Sequence, residues 1–488
     1  DWAKAINAFL LSDEATKAMD EAKGAFVSAV RQGDARSKVL ALHGIAKVHL
    51  SREALNDAKE VAEKALAELM QVPDSKLEGA IMHQLAKVSR DMYQFQDALE
   101  LAQEATAIYQ KANSQVGEAA VLNTIAKINM KKGRKQDALK VGKQALAMFQ
   151  TCEDKAGEAE ALKTLARVSS AMTKYPDALR YANQMLGIYE GGSDVDKHAD
   201  ALLLVAEVRT ATEEHEDAVE TVTKVVELYE TGNKRKQAAA TRRLADTCFT
   251  KGDDTDGWMY TREALELFKA EGDLKGEATT LCDYAMAHFS TGTFQEGTYF
   301  AEEGIRICRE QGYKHQLATI LVGAARSRLD QEATGEAQDL QLNWKARVAA
   351  KEALSIYEDT GDLYGQMKAL NTLALAFMGY GNVLEGRAMA KRAAELSQLI
   401  GDKAAEGANL LLVAQSRTVD NRDEAVRLAN MAHKLLKDGG DKSNLDAAET
   451  VLDQIREEPS KKKKSKQVGA SMEETNKSKS DLTMDMDF

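Results

Sequence analysis

Four short phrases spaced 40 residues apart decide the fold of this chain: Ile45-Ala46-Lys47-Val48, Leu85-Ala86-Lys87-Val88, Ile125-Ala126-Lys127-Ile128 and Leu165-Ala166-Arg167-Val168. The small residue of each phrase belongs to a longer series, which runs Ala46, Ala86, Ala126, Ala166, Ala206, Ala245, Ala285, Ala325, Ala374 and Ala414. Successive members lie 40 residues apart, except for one step of 39 and one step of 49. So regular a period predicts a repeat architecture in which each unit packs only on its neighbours.

A second small residue follows the first after twelve positions, which gives every unit two points for close helix packing. The second series is Ala58, Ala98, Ala138, Ala178, Ala218, Gly257, Gly297, Ala337 and Gly386. Helices that cross closely need a small side chain at the crossing, or their backbones are pushed apart. Glycines stand where a short turn would separate the two helices, at Gly133, Gly252, Gly292 and Gly381. Each unit is therefore predicted to be helix A, a turn, helix B and a loop, and the fold to be an all-α solenoid.

This spacing of small residues resembles the tetratricopeptide repeat family, which keeps small residues at its eighth, twentieth and twenty-seventh positions. The 40-residue period and the missing Pro at the end of helix B depart from the 34-residue form. They resemble the extended subclass of Pins-type adaptors, kinesin light chains and rapsyn, and Val116-Gly117-Glu118-Ala119 is similar to the Pins type. The resemblance covers roughly residues 1–457. It implies a right-handed superhelix of about ten helix pairs with capping helices and a concave, protein-binding groove.

The chain divides into four segments on this pattern. Residues 1–35 are predicted to be N-terminal capping helices, with Trp2 and Phe9 on a degenerate helix A and Ala18 and Ala25 in the register of helix B. Residues 36–440 are predicted to hold ten units, and residues 441–458 a C-terminal capping helix with Asp441 as its N-cap. Residues 459–488 lack periodicity, begin with a lysine run and end acidic, so they are predicted to be a disordered tail.

The eighth unit carries nine extra residues between Ala325 and Ala374, around Leu340 to Arg347. A longer helix B and a protruding loop explain the insertion equally well. Trp344, within the insertion, has two interpretations. An exposed ring is a candidate contact for a partner, and a buried ring packs the longer helix on its neighbour.

Composition narrows the class of protein. The net charge of −12 opposes generic binding to nucleic acid, and the absence of any run of 18 apolar residues predicts no transmembrane helix. Four cysteines without CxxC pairs fit a reducing compartment. A cytoplasmic location is therefore predicted. Because the chain begins at Asp1 without a Met, an organelle interior after removal of a targeting segment is the alternative.

Signatures of catalysis are absent from the sequence. There is no HExxH, GxSxG, P-loop or GxGxxG motif, and the eight histidines are scattered. The chain is therefore predicted not to be an enzyme and to hold no cofactor and no metal ion.

The residue after the small residue of helix A is a cation in the first four units, at Lys47, Lys87, Lys127 and Arg167. In tetratricopeptide stacks this position faces the concave groove. His43, His83, Asn123 and Lys163 lie four residues earlier, on the same helix face. One interpretation is a groove that binds an acidic extended peptide or helix. The other is a set of ordinary solvated residues, some of them paired with neighbouring carboxylates.

Apolar anchors for such a peptide are predicted from the C-terminal half, where Phe249, Phe289, Leu329 and Met378 follow the small residue by three or four positions. Core packing between helices is the alternative role for these side chains. The hypothetical peptide-binding set is Lys47, His83, Lys87, Arg90, Asn123, Lys127, Lys163, Arg167, Phe249 and Phe289.

The predicted function is a protein–protein interaction scaffold or adaptor, whose partner is another protein and in particular an acidic peptide. The first alternative is a structural subunit of a large assembly, which is contacted through its convex face and loops. The second alternative is an enzyme regulator.

Overall fold

The computed structural model describes residues 3–6, 15–52, 54–70, 74–192, 194–334, 341–418, 420–439 and 442–457, and throughout these ranges the regular secondary structure is helical. Ten helix pairs follow one another, flanked by α1 (Ala15–Gln32) and α22 (Lys442–Glu457). The A helices are α2 (Ala35–Ser51), α4 (Ser75–Asp91), α6 (Gln115–Lys131), α8 (Lys155–Ala171), α10 (Val195–Ala211), α12 (Lys234–Lys251), α14 (Leu274–Ser290), α16 (Lys314–Thr334), α18 (Leu363–Gly379) and α20 (Lys403–Arg417). The B helices are α3 (Leu55–Leu69), α5 (Phe95–Lys111), α7 (Lys135–Thr151), α9 (Tyr175–Tyr189), α11 (His215–Glu230), α13 (Asp254–Ala270), α15 (Phe294–Gln311), α17 (Leu342–Thr360), α19 (Val383–Ile400) and α21 (Arg422–Gly439). The predicted α-solenoid is confirmed.

Most A helices begin with a side-chain cap. The carboxylate or amide oxygen of the N-cap residue accepts a hydrogen bond from a backbone N–H of the first turn, which would otherwise have no partner. The capping residues are Asp34, Asp74, Asp154, Asp194, Asn233, Asp273, Asp362 and Asp402. These caps fix the residue at which most of the units start, and so they help to hold the 40-residue register.

The small residues lie where the spacing predicts. Every alanine of the first series is buried, with at most 4% of its surface exposed. Ala58, Ala98, Ala138, Ala178 and Ala218 of the second series are fully buried as well. Small side chains therefore occupy the places at which the helices approach one another most closely.

A second close contact joins four of the units to the next. The ring of Phe149, near the end of helix B, lies on Gly157 in the first turn of the following helix A, so that a Cβ at residue 157 would be 2.2 Å from the ring. The same arrangement recurs at Tyr109 with Gly117, Phe268 with Gly276, and Tyr357 with Gly365, where a Cβ would come within 2.5 Å. Gly117 belongs to the phrase that resembles the Pins type, and its role here is to let an aromatic ring reach the helix backbone.

Replacement of Gly157 by Ala tests this contact. In an open helix the change stabilises by up to about 1 kcal/mol, but here the new methyl group overlaps the ring of Phe149, and overpacking costs about 1–3 kcal/mol. We expect Gly157→Ala to lower the free energy of unfolding, measured by urea denaturation followed by circular dichroism. Gly187→Ala is the matched control, since a Cβ there meets nothing within 4 Å. Equal or greater stability of Gly157→Ala than of the control would contradict the packing described.

The insertion of the eighth unit lengthens helix A. α16 continues for 21 residues, to Thr334, and α17 begins at Leu342. Ala346 and Ala353 are fully buried in α17, 40 residues before Gly386 and Ala393. The spacing from Ala325 had assigned the crossing to Ala337, and Ala346 takes that place because the extra residues precede helix B. Ala337 and Leu340 lie outside the described residues, as do Trp2, Phe9, Asp441 and the whole tail 459–488.

The superhelix meets itself between the first unit and the eighth, along a contact that we call the seam. Nδ2 of Asn56, at the start of α3, donates hydrogen bonds to the carbonyl oxygens of Glu358 (3.4 Å) and Asp359 (2.9 Å) at the end of α17. Gly361 adopts a φ of +78°, and a Cβ there would be 2.8 Å from the Asn56 side chain. In the turn after α4, burial and then the charge of Asp362 raise the pKa of Tyr93 to about 12. The turns that follow the A helices of units one and two therefore lie against the loops of the eighth unit.

Loss of the Asn56 amide is expected to loosen the seam. Asn56→Ala removes two hydrogen bonds to helix-terminal carbonyls, and an exposed hydrogen bond contributes about 1 kcal/mol. Hydrogen exchange at the backbone amides of residues 358–364 should accelerate by up to about fivefold, as measured by mass spectrometry. Asn430→Ala serves as control because, among the described residues, its amide bonds only to Val426 of its own helix. Unchanged exchange at residues 358–364 would show that Asn56 does not hold the two turns together.

Candidate functional site

The first four A helices present a row of cations, Lys47, Lys87, Lys127 and Arg167, which we call the basic lane. Each is the residue after a buried crossing alanine, so one lies on each of α2, α4, α6 and α8. The ammonium group of Lys87 interacts electrostatically with those of Lys47 and Lys127 on the neighbouring A helices. The 40-residue period thus brings like charges from separate units together.

Three predicted site residues are neutralised within the structure. Nζ of Lys127 lies 3.1 Å from Oε1 of Glu160, and Arg167 makes a two-pronged contact with Glu207 at 3.1 and 2.8 Å. Arg90 binds Asp91, which also accepts a hydrogen bond from Lys131. These cations follow the second interpretation of the sequence, in which groove residues pair with neighbouring carboxylates.

Lys47 and Lys87 differ from the rest of the basic lane. Within the described part of the chain neither ammonium group has a hydrogen bond or an ion pair. Burial, followed by the charges of Arg90, Lys127 and Lys47, lowers the pKa of Lys87 to about 8. Burial also lowers the pKa of Lys47. Within the described residues these two partly desolvated cations therefore have no ion-pair partner of their own.

The histidines beside these lysines are uncharged. Burial and the charges of Lys47 and Lys87 lower the pKa of His43 to about 3, and burial followed by the nearby cations lowers that of His83 to about 2. His83 has a partner, because its Nε2 lies 2.7 Å from Oγ1 of Thr124 on the next A helix. Both rings are thus neutral hydrogen-bonding groups near pH 7.

Several buried polar atoms around the basic lane lack hydrogen-bond partners among the described residues. They are Nδ1 of His43, Nε2 and Oε1 of Gln84, and Oδ1 of Asn123, and these three residues are 4–8% exposed. An unpartnered buried polar group costs about 1–3 kcal/mol. The sequence prediction missed His43 in its final set, and it missed Gln84 and Thr124 altogether. Gln84 and Thr124 each stand two residues before a crossing alanine, so comparison of that position between units would have identified both.

The charge of this surface reverses beyond the fourth unit. A cavity of about 390 Å³ is lined by Lys163 and Arg167 of α8 and, from α10 and α12, by Asp200, Glu207, Asp246 and a single cation, Arg243. Burial, and then the charge of Asp283, raises the pKa of Asp246 to about 6. The basic lane therefore ends at Arg167, and it covers the first four units only.

The two predicted aromatic anchors lie elsewhere. Phe249 packs edge-on against Trp258 at 4.9 Å and covers Gly257. Phe289 covers Gly297 in the same way. Both rings therefore fill the crossing between helices A and B of their own unit, and the structure does not bring them to the cations of units one to four.

Trp344 is exposed on the helix B side of the solenoid. Its side chain is 57% exposed, and Val348, one turn later on α17, is 45% exposed. Both line a cleft of about 610 Å³ between α15 and α17, together with Arg306, Arg309 and Glu352. The structure therefore agrees with the interpretation in which the Trp344 ring is exposed, and not with the one in which it packs on a neighbouring helix.

Two further properties concern the described residues alone. No three His, Cys, Asp or Glu side chains gather there as a potential metal site. None of the helices in those ranges has the length and apolar character required to cross a bilayer.

Comparison with known proteins identifies the repeat. Two models described as tetratricopeptide repeat match residues 79–115 and 117–191, which cover most of the second and third A helices, all of the fourth, and three of the four cations of the basic lane. A search of curated proteins finds no match.

Several solved structures are similar to this chain at low identity. A Rap protein complexed with competence and sporulation factor is 15% identical, with 75% of this chain and 98% of that chain covered and a TM-score of 0.40. A putative kinesin light chain of Podosopora anserina, with nearly identical TPR-like repeats, is 19% identical over 41% of this chain and 97% of that one, with a TM-score of 0.36. The quorum sensor NprR from B. thuringiensis is 14% identical over 76% and 99%, with a TM-score of 0.40.

Proposed function

We propose that the chain is a protein-interaction scaffold of the tetratricopeptide-repeat type, whose repeat models match residues 79–115 and 117–191, and that it holds an acidic extended peptide or helix along the basic lane. The observation that carries the proposal is the pair of unbalanced, half-buried ammonium groups of Lys47 and Lys87. A folded chain with a net charge of −12 keeps this concentration of positive charge although acidic residues are abundant. An acidic segment would supply the missing counter-charges.

The expected affinity is moderate and salt-sensitive. Each exposed ion pair contributes about 0.2–1 kcal/mol, and charges that are more than about 10 Å apart are screened at 0.1 M salt. The paired cations Lys127 and Arg167 would have to exchange Glu160 and Glu207 for the peptide, so their net contribution is small. Most of the electrostatic gain would come from Lys47 and Lys87.

Charge reversal tests the proposal. We expect Lys87→Glu combined with Lys127→Glu to weaken binding of acidic peptides at least about tenfold, equivalent to about 1.4 kcal/mol. The probe is a fluorescein-labelled peptide selected on the wild-type chain from a displayed library of random peptides, and the readout is fluorescence anisotropy. Selected sequences should be rich in Asp and Glu, and their affinity should fall as salt rises.

The control is Lys64→Glu combined with Lys224→Glu. It changes the net charge of the chain by the same amount at two exposed positions on B helices, and it should leave the affinity within about twofold. Equal weakening by both double variants would mean that only the overall charge matters. Selection of peptides without acidic enrichment would overturn the proposed groove specificity.

A second candidate is contact through the helix B side, as in a structural subunit of an assembly. The exposed Trp344 and Val348 above their cleft favour it, because exposed aromatic residues beside pockets often anchor protein contacts. A protein captured by the wild-type chain and by Lys87→Glu/Lys127→Glu, but lost with Trp344→Ala, would support this candidate. A captured protein that is retained by Trp344→Ala and lost with the lysine variants would contradict it.

A further inference from the structure

A row of exposed apolar side chains crosses the B helices of units six to nine, and we call it the outer lane. It occupies the second position after the buried small residue of helix B and consists of Met259, Tyr299, Val348 and Ala388. In units one to five the same position carries an exposed charged residue, at Glu60, Glu100, Lys140, Arg180 and Glu220. Unit ten returns to a charge with Arg427. The apolar character therefore belongs to four adjacent units and is not a property of the repeat.

Two further apolar residues widen the outer lane at units eight and nine. Trp344 and Leu384 occupy equivalent positions 40 residues apart, one helical turn before Val348 and Ala388. The side chain of Leu384 is 71% exposed, so the described part of the chain covers neither it nor Trp344. Trp, Tyr and Met are enriched where proteins meet, and a contiguous exposed apolar patch marks an interaction site.

The outer lane adjoins the cleft between α15 and α17. The apolar lining of this cleft consists of Ile305, Leu321, Trp344, Val348 and Ala349. Its charged lining consists of four cations, Arg306, Arg309, Arg328 and Lys345, and three carboxylates, those of Glu302, Glu310 and Glu352. An occupant with apolar side chains along one side and a few negative charges along the other therefore fits the cleft.

Residues 481–488, which lie outside the described residues, have this pattern in their sequence. They read DLTMDMDF, with an apolar residue at every second position. Alternate side chains of an extended segment point to opposite sides. One side would carry Leu482, Met484, Met486 and Phe488, and the other would carry Asp481, Thr483, Asp485 and Asp487. Eight extended residues span about 25 Å, and two helices separated by one other lie within about 20 Å.

The intervening chain is long enough to reach the cleft. α22 ends at Glu457, and residues 458–480 precede the acidic segment. A stretch of that length spans up to about 75 Å when extended. Five steps from one helix to the next separate α22 from α17, a distance of at most about 50 Å at 8–10 Å for each step.

We propose that residues 481–488 dock in the cleft between α15 and α17 of the same chain and cover Trp344 and Val348. The apolar side chains lie against the apolar lining, and the aspartates face the cations at the rim. Because Arg306 already contacts Glu303 and Glu310, and Arg309 contacts Glu352, the apolar contacts supply most of the affinity. This inference goes beyond the proposed function and does not depend on binding to the basic lane.

The basic lane is the competing location for an acidic segment. It offers charge, but the aromatic anchors predicted for it fill helix crossings of other units. Docking there would leave the four apolar side chains of residues 481–488 without an identified apolar surface. Docking in the cleft covers them and removes Trp344 from solvent. The docked segment and a partner protein that binds Trp344 then exclude each other.

The first test uses a fluorescein-labelled peptide of residues 478–488 and fluorescence anisotropy. The receptor is the full chain with Met484→Ser and Met486→Ser, which weaken docking of its own segment. We expect this receptor to bind the peptide at least about tenfold more tightly than the wild-type chain does, since the wild-type segment competes at a high effective concentration. Equal affinity of the two chains, or no binding to either, would overturn the proposal.

A matched pair of receptor variants locates the binding. Trp344→Ala, added to the same receptor, should weaken binding of the peptide at least about tenfold. Met431→Ala should leave it within about twofold, because Met431 is exposed on the B helix of unit ten, outside the cleft. Equal effects of the two changes would contradict docking at Trp344.

Changes in the peptide separate apolar contact from charge. Met484→Ser with Met486→Ser should weaken binding at least about tenfold, and Asp485→Asn with Asp487→Asn by no more than about threefold. The opposite order would overturn docking on an apolar lining. Lys87→Glu/Lys127→Glu in the receptor should have the same effect as its control of equal charge, Lys64→Glu/Lys224→Glu. A further tenfold loss would assign the segment to the basic lane, and neither result bears on whether other acidic peptides bind there.

Cross-linking locates the segment in the intact chain. Benzoylphenylalanine placed at residue 486 should, on irradiation, form links to residues 302–310 or 344–352, identified by mass spectrometry. In a mixture of isotope-labelled and unlabelled chains these links should join residues of one molecule. Links between molecules would assign the cleft to a second copy, and links to the A helices of units one to four would assign the segment to the basic lane. Either result, or no link, would overturn the proposal.

Discussion

Close approach of helix backbones is the constraint on which this molecule depends. A pair of helices cannot cover its own apolar stripe, so each unit must lie directly on the next. Fully buried alanines allow the two helices of a unit to cross, and rings such as that of Phe149 reach the next unit because a glycine stands opposite. A single added methyl group at Gly157 would enter the ring. The spacing between units is therefore fixed by van der Waals contacts. Every other feature that repeats with the units has the same spacing.

The basic lane follows from the same spacing. Residues that occupy one position of a 40-residue repeat lie side by side on adjacent A helices, so a Lys at that position in several units becomes a concentration of charge that no single helix carries. The first four units use this position for cations, while Glu207 and Asp246 reverse its sign in the next two. Rigid stacking prevents the cations from moving apart, and the burial that accompanies it lowers the pKa of Lys87 and Lys47. Packing thus creates an electrostatic surface that would be unfavourable in a flexible chain.

Much of the fold could be predicted because the features that define it are local and periodic. The crossing alanines, the turn glycines and the position of the basic lane all repeat at one spacing, and the structure places them accordingly. The insertion was harder: the sequence offered a longer helix B or a protruding loop, whereas the structure extends helix A of that unit, α16, to 21 residues. Phe249 and Phe289 show a second limit, since an aromatic ring after the crossing alanine suits a groove wall and a helix crossing equally, and neighbouring Gly257 and Gly297 decide for the crossing. Gln84 could not be singled out from the sequence. What distinguishes it is a buried amide without a hydrogen-bond partner among the described residues, and only the structure shows this.

The seam could not have been predicted from any local pattern, because it depends on the rotation accumulated over successive units. Asn56 and Asp359 are 303 residues apart in the chain, and yet the amide of one donates to the carbonyl of the other. The seam joins the first two units, which carry His43, Lys47, Gln84 and Lys87, to the loops of the eighth unit. A change in superhelical pitch that opens the seam must be accommodated at the interfaces between units, the α2–α4 contact among them. The separation of Lys47 and Lys87 is therefore linked to contacts far along the chain. Because units far apart in the chain contact one another at the seam, the geometry of the groove depends on the whole superhelical turn. It does not depend only on the two helices that carry the charges.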